Sequence, residues 1–278
     1  MPVFVTKASG VREPFDMEKI RKTCERAGAS KKLAAQVAAA VEKKVYDGIT
    51  TKEVLDLILK ELDKEQPHVA ARYDLKGAIM RLGPAGFNFE QLVAELLQEY
   101  GYRTNVDETV RGGCITHEID VIARKGDELA AMEAKYHNAP GIYTGAKDAL
   151  YVWARYLDLQ DGAKKGLCPP FNSIWLVTNT KFSDDAMEYA NCKKMVLLGW
   201  KYPDDRNLRS MLEEKKLYPI TVMRTLDVDS LQKLSEAQMM LCKDLVGHGI
   251  EELVKMTGIT PKKLRSLQAD AKKICDAE

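Results

Sequence analysis

Four charged side chains stand at strand spacing on either side of one turn signal: Glu118 and Asp120 before it, Glu133 and Lys135 after it. The stretch His117-Glu118-Ile119-Asp120-Val121-Ile122-Ala123 alternates polar and apolar residues, and Leu129 to Met132 is an apolar run that leads into Glu133-Ala134-Lys135. Gly126-Asp127 between them suits a tight hairpin turn. A hairpin centred there sets Asp120 opposite Glu133 and Glu118 opposite Lys135, and the strand period of two puts all four on one face. Two opposed carboxylates destabilise a sheet unless something positive lies between them. A divalent cation answers that need, because Mg²⁺ takes one or two carboxylates and fills its shell with water and phosphate oxygens. The expectation depends on register, since a slip of one residue would send the groups to opposite faces. Alternating charges on a solvated hairpin need no function. Here the second strand is otherwise apolar, so its charged pair ends a buried-looking segment.

The elements that must position these groups can be read from periodicity. A helix from Phe87 onward, with Phe89, Leu92, Val93, Leu96 and Leu97 on one face, stops near Gly101. Strands are expected over 103–110, 117–124 and 128–136, a long helix over 144–159, and a buried strand over Ser173–Thr178. A helix at 183–191 and a strand at 194–199 complete an α/β sandwich. Before this unit the chain predicts a small β-ribbon over residues 1–14 and four helices. Asp16 caps the first. The second spans 31–46, Thr51 caps the third, and the fourth runs from Val69 to Leu82 and stops at Gly83-Pro84. After Pro219 and a β-like Ile220–Met223, residues 228–275 read as all-helical. The expected domains are 1–84, 86–222 and 226–278. The fold class is multidomain α+β, with a ribbon on a four-helix bundle, a central α/β sandwich and a small all-α module.

The order acid, turn, acid, one residue, lysine resembles the PD-(D/E)xK nuclease superfamily. Phe87-Asn88-Phe89-Glu90-Gln91-Leu92, then Gly101-Tyr102, His117-Glu118-Ile119-Asp120-Val121 and Glu133-Ala134-Lys135 are similar to its Mrr-type restriction endonuclease branch over residues 86–200. That branch often carries Gln where this chain has Glu133. The resemblance implies a restriction-endonuclease-like fold acting on DNA, with Asp120 and Glu133 holding Mg²⁺ or Mn²⁺. It further implies that Lys135 orients the attacking water or stabilises charge on the phosphorus, and that Glu90 is a supporting acid. Lys147 could touch phosphate or simply be solvated. Thr178-Asn179-Thr180-Lys181 could line the cleft or be only a strand-to-helix loop.

No G-x-x-x-x-G-K-[ST] loop occurs, so the chain is not a P-loop motor. Val5-Thr6-Lys7-Ala8-Ser9-Gly10-Val11-Arg12-Glu13-Pro14-Phe15-Asp16-Met17-Glu18-Lys19-Ile20 resembles the opening of an ATP-cone. Tyr46-Asp47-Gly48-Ile49-Thr50-Thr51-Lys52-Glu53-Val54 and Ala70-Ala71-Arg72-Tyr73 continue the resemblance, which spans residues 3–84. It implies ATP or dATP as an allosteric ligand that is sensed without hydrolysis, held by Lys7, Glu13, Lys19 and Thr51. Ala8 departs from the pattern, in which a basic residue usually follows the lysine.

Leu241 to Ile250, with Gly247-His248-Gly249, and the later Gly258-Ile259-Thr260-Pro261 are similar to helix-hairpin-helix modules, in which backbone amides bind DNA phosphate. Lys262, Lys263, Arg265, Lys272 and Lys273 add local positive charge. The same features serve equally well for a packing or dimerisation appendage, and His248 reads as a surface residue.

The net charge of +1 supplies no global attraction to nucleic acid or membrane, so DNA contact must be local. The six cysteines include no C-x-x-C pair, which argues against a zinc site and for reduced thiols. Neither a signal peptide nor a membrane span is expected, and the cytoplasm is the expected address. The leading expectation is a metal-dependent DNA endonuclease, of a defence or restriction kind, controlled by adenine nucleotide. A non-catalytic, nucleotide-sensing DNA-binding regulator is the rival. A ribonucleotide reductase fragment is excluded, because nothing after residue 85 resembles a reductase barrel. Self-association is left open.

Overall fold

A computed structural model describes residues 3–276. It forms two compact units: the chain up to Gly86 together with Leu217 onward, and Phe87–Lys216 between them.

The first unit opens with β1 (Phe4–Thr6) paired antiparallel to β2 (Arg12–Pro14), the expected ribbon, with a left-handed Gly10 in its turn. Helices α1 (Met17–Arg26), α2 (Lys31–Glu42), α3 (Thr51–Glu65), α4 (Pro67–Tyr73) and α5 (Leu75–Met80) follow. Asp16 caps α1 as expected, accepting a hydrogen bond from the Lys19 amide. Thr51, however, does not cap α3: it is the first helical residue, and Thr50 is the cap. Thr50 and Glu53 close a reciprocal capping box, with the Thr50 amide donating to the Glu53 carboxylate at 3.0 Å and the Glu53 amide to the Thr50 hydroxyl at 3.2 Å. The single helix expected over Val69–Leu82 is broken at Asp74 into α4 and α5. Val37, Val41, Ile58, Leu62 and Val69 fill the core between these helices.

The second unit begins with α6 (Phe89–Glu99), then β3 (Arg103–Arg111), β4 (Thr116–Lys125), β5 (Glu128–Lys135), a short β6 (Tyr143–Thr144) and α7 (Ala146–Lys164). After these come β7 (Ser173–Thr178), β8 (Lys181–Phe182), α8 (Asp184–Lys193), β9 (Val196–Leu198) and α9 (Leu208–Glu214). Five strands form one mixed sheet in the order β3-β4-β5-β7-β9, antiparallel through β5 and parallel beyond it. The fold is mixed α/β with α7 over one face, where Val152 and Leu159 meet Leu129, Ala131, Ile174 and Leu176.

The remaining chain returns to the first unit. The expected β-like Ile220–Met223 is instead a 3-10 turn at Ile220–Val222. Helices α10 (Val228–Glu236), α11 (Cys242–Gly247), α12 (Ile250–Thr257) and α13 (Pro261–Cys275) follow, all-helical as read. These residues are tied to the N-terminal helices. The Thr221 hydroxyl donates to the Ala78 carbonyl at 2.8 Å, Arg81 donates to the Thr221 carbonyl at 2.9 Å, and Arg224 pairs with Asp63. All six cysteines are free thiols, and no helix among the described residues is long and apolar enough to cross a membrane.

Candidate active site and nucleotide-binding residues

The β4–β5 hairpin has the register expected of a turn at Gly126, which adopts φ +56°. Lys125 pairs with Glu128, Ala123 with Ala130 and Val121 with Met132. At the next position the ladder stops. The Asp120 carboxylate reaches across and accepts a 2.7 Å hydrogen bond from the Ala134 amide. On the other side, Asp107 of β3 would face Asp120 but lies at φ 54°, a conformation unusual for any residue but glycine. Asp120 is therefore the one residue of β4 with no Cα partner in either ladder. The expected ladder pairings of Asp120 with Glu133 and of Glu118 with Lys135 do not form, because the strands part beyond Val121 and Met132. Glu118 is exposed, and Lys135 turns to Glu133.

Glu133 lies on the sheet face covered by α7, two and four positions beyond Ala131 and Leu129, and is 5% exposed. Both its oxygens carry cations. Lys135 Nζ lies 2.5 Å from Oε1, and the Arg155 guanidinium of α7 pairs with Oε2. Arg155 also donates to the Tyr151 hydroxyl at 3.0 Å and lies 5.0 Å from the centre of that ring. Sequence reading did not single out Arg155. Its one local signal is the four-residue helical spacing from Tyr151, which says nothing of the strand it reaches.

Electrostatics at the site follow from this crowding. Burial pushes the Asp120 carboxyl up to about 6; the charges of Glu133 and Glu90 push the same way, and the Ala134 amide and Arg155 oppose them. Burial also works against the Lys135 ammonium, yet its bond to Glu133 leaves it raised. Glu90 stands half-buried in the first turn of α6 and joins the group through its field. The floor beside Lys135 is a buried hydroxyl chain. Thr178 donates to the Lys135 carbonyl at 2.8 Å and accepts from Thr144 at 3.0 Å, while Asn179 exchanges two hydrogen bonds with the His137 backbone. Lys147 is exposed on the first turn of α7.

Among the described residues no three acidic, histidine or cysteine side chains gather that could hold a metal by themselves. Asp120 and Glu133 form a desolvated acid pair whose repulsion a cation would relieve. That donor set fits Mg²⁺ or Mn²⁺, which bind through few protein oxygens and keep water and phosphate, rather than an all-protein cage.

Helix α7 is held against the β3–β4 turn by Asp158, one helical turn beyond Arg155. Its carboxylate accepts from the Cys114 amide at 2.7 Å and the Ile115 amide at 3.2 Å, and lies 2.8 Å from His117 Nε2. Desolvation opposes its ionisation, but these bonds bring it well below the usual carboxylate range.

In the first unit, Glu13 of β2 lies beside two of the other residues expected to hold nucleotide, Lys7 at 2.5 Å and Lys19 at 3.3 Å. The Lys7 hydrogen bond, followed by the field of Lys19, holds its carboxyl low despite some desolvation. An open depression of about 580 Å³ beside them is lined by Glu13, Phe15, Asp16, Met17, Glu18 and Lys19. Thr6 and Thr50 form a parallel bridge, so Thr51 at the start of α3 follows it by one residue, as Lys7 does on the ribbon. In the C-terminal helices His248 pairs with Glu252 at 3.0 Å, and Gln268 donates to the Leu245 and His248 carbonyls at 2.7 and 2.9 Å.

Comparison with known proteins divides the chain in three. Residues 3–75 match the ATP cone domain, 84–201 the restriction endonuclease family, and 218–275 the family described as AF1548-like, C-terminal. An uncharacterized protein of Archaeoglobus fulgidus is 42% identical over 182 residues, covering 66% of this chain and 99% of its own. The crystal structure of a protein of unknown function, AF1548, is 41% identical with a TM-score of 0.58, covering 68% of this chain and 97% of its own. The chain belongs to this AF1548-like family, and joins an ATP cone to the family's restriction endonuclease domain and C-terminal region.

Proposed function

We propose that the protein is a divalent-metal-dependent DNA endonuclease whose activity is set by ATP or dATP held at the cone. The observation that carries this reading is the set Asp120, Glu133 and Lys135 on parting strands, with Asp120 desolvated and free of ladder pairing. Asp120 and Glu133 would hold the metal. A bound Mg²⁺ or Mn²⁺ supplies charge neutralisation on the phosphate and an activated water. The chain's own residues do the rest. The Ala134 amide fixes the Asp120 carboxylate. Lys135, positioned by Glu133, supplies a cation for the attacking water or for charge growing on the phosphate oxygens. Glu90 adds negative field that favours cation entry. At the cone, Lys7 and Lys19 would exchange Glu13 for polyphosphate, and Glu13, once released, can accept from a ribose hydroxyl or adenine amino group.

One observation favours the rival reading of a non-catalytic, nucleotide-sensing DNA-binding regulator: both Glu133 oxygens are already neutralised by Lys135 and Arg155. The deciding experiment is Mg²⁺-dependent cleavage of plasmid and methylated DNA, with and without ATP, by wild type and Asp120→Ala. Cutting that vanishes in Asp120→Ala supports the endonuclease, and a change with ATP supports coupling. An inert wild type that binds DNA only with nucleotide would support the regulator.

A further inference from the structure

We propose that Arg155 is a shared cation of the nuclease site: it guards Glu133 while the acid pair lacks a metal, and it binds the scissile DNA phosphate once the pair is occupied. The inference rests on the endonuclease reading and assigns a residue that the metal motif does not contain.

Three observations carry it. First, Arg155 and Lys135 each occupy one lone pair on the two oxygens of Glu133, so a metal that reaches either oxygen meets the repulsion of a cation already held there. Secondly, the Arg155 side chain is nine-tenths buried, yet its Nε is buried without any hydrogen-bond partner. An unpaired N–H on a buried charge costs free energy, so the present seat of the guanidinium leaves part of its hydrogen-bonding capacity unused. That donor is closed off while the guanidinium holds Glu133, and it gains a partner only if the side chain rotates. Thirdly, the backing of the group is exposed: Tyr151, which accepts from Nη2 and stacks near the guanidinium, is 54% exposed. Arg155 thus lies buried beside an exposed tyrosine, and a rotation toward that side would present its planar fork to a phosphate for two parallel hydrogen bonds. Asp158 anchors α7 one turn away, on the Cys114 and Ile115 amides and His117. The exchange from carboxylate to phosphate then needs a side-chain rotation, not a helix shift.

The test uses the full chain and two readouts: Mn²⁺ affinity of the DNA-free protein by electron paramagnetic resonance, and single-turnover cleavage of plasmid DNA. In Arg155→Met, Mn²⁺ should bind about tenfold more tightly, since its competitor for Glu133 is gone. Cleavage should nevertheless fall by about 10²–10³-fold, the usual cost of removing one transition-state donor. Arg155→Lys keeps the charge without the fork, and should hold Mn²⁺ affinity near wild type while cutting roughly tenfold slower. A merely structural arginine predicts that Arg155→Met weakens metal binding and cleavage together; that result, or no change in either, overturns the proposal. Should Arg155→Met fail to fold, Arg155→Lys decides, and loss of both metal binding and cutting in it is equally fatal. Asp120→Ala separates the two levels of the argument. If wild type cuts, Asp120→Ala does not and Arg155→Met behaves as wild type, only the role of Arg155 falls. If wild type neither binds Mn²⁺ nor cuts, the endonuclease reading falls and this one with it.

Discussion

Replacing Asp120 with asparagine should stabilise the central unit at neutral pH while removing its metal site. In the folded protein the Asp120 carboxyl titrates at about 6, against 3.8 for the ordinary group, chiefly because burial disfavours its charge. Between those values the folded state holds a proton that the unfolded chain has released. Stability therefore falls as pH rises from about 4 to about 6, and stays at the lower level above that. The shift corresponds to ~3 kcal/mol, which partial solvent access reduces to ~2 kcal/mol. Asparagine has the same shape and can still accept from the Ala134 amide, but it carries no charge to desolvate. All three tryptophans, Trp153, Trp175 and Trp200, lie within Phe87–Lys216, so tryptophan fluorescence during urea unfolding of the full chain follows this unit alone. The midpoints of wild type and Asp120→Asn should coincide near pH 4 and separate in favour of the variant by about pH 7. Added Mg²⁺ should then raise only the wild type, by ~2.7 kcal/mol at a hundred times the dissociation constant. A difference that is constant across pH, or a variant less stable at pH 7, would refute the argument that Asp120 is held ionised against its environment.

Three further outcomes are expected. Lys19→Ala should weaken ATP binding to the full chain about tenfold in a calorimetric titration, as one charge-assisted phosphate contact is lost; unchanged affinity would remove Lys19 from the site. Gly162→Ala should cost about 1–3 kcal/mol in the same fluorescence assay, because a Cβ there would lie 2.9–3.0 Å from the Arg111 carbonyl and the Gly112 backbone, where α7 meets the β3–β4 turn; an unaltered midpoint would mean the turn yields freely. Thr50→Ala should cost about 1 kcal/mol and Thr51→Ala much less, measured by circular dichroism melting, since the α3 cap belongs to Thr50.

What could be read from the sequence follows the range of the forces involved. The hairpin register was legible because a glycine turn and a two-residue period act over neighbouring residues, and the pairs Lys125–Glu128 to Val121–Met132 obey it. The same reasoning overran the end of the ladder, at Asp120 with Glu133 and at Glu118 with Lys135. Whether a ladder continues depends on what its end can bond to, and here Asp120 captured the Ala134 amide instead. The misplaced α3 cap was a local error with a local remedy: Thr50-x-x-Glu53 is a capping-box spacing, which Thr51 lacks. The break between α4 and α5 had no such signal, since neither glycine nor proline stands at Asp74.

The return of the C-terminal helices to the N-terminal unit was illegible for a different reason. Its ties, such as Thr221 to Ala78 and Arg224 to Asp63, join residues far apart in the chain, and no periodicity encodes them. Arg155 belongs to the same class. A motif search finds Asp120, Glu133 and Lys135 because one hairpin carries them all, whereas the cation that neutralises Glu133 arrives from a helix whose own pattern only says which face is apolar. The acids that would hold a metal are thus local and readable, and the group that would govern access to them is not. A chain can keep the readable motif intact while its activity is decided elsewhere, so variants at Arg155 test this site more severely than further substitutions of the motif itself.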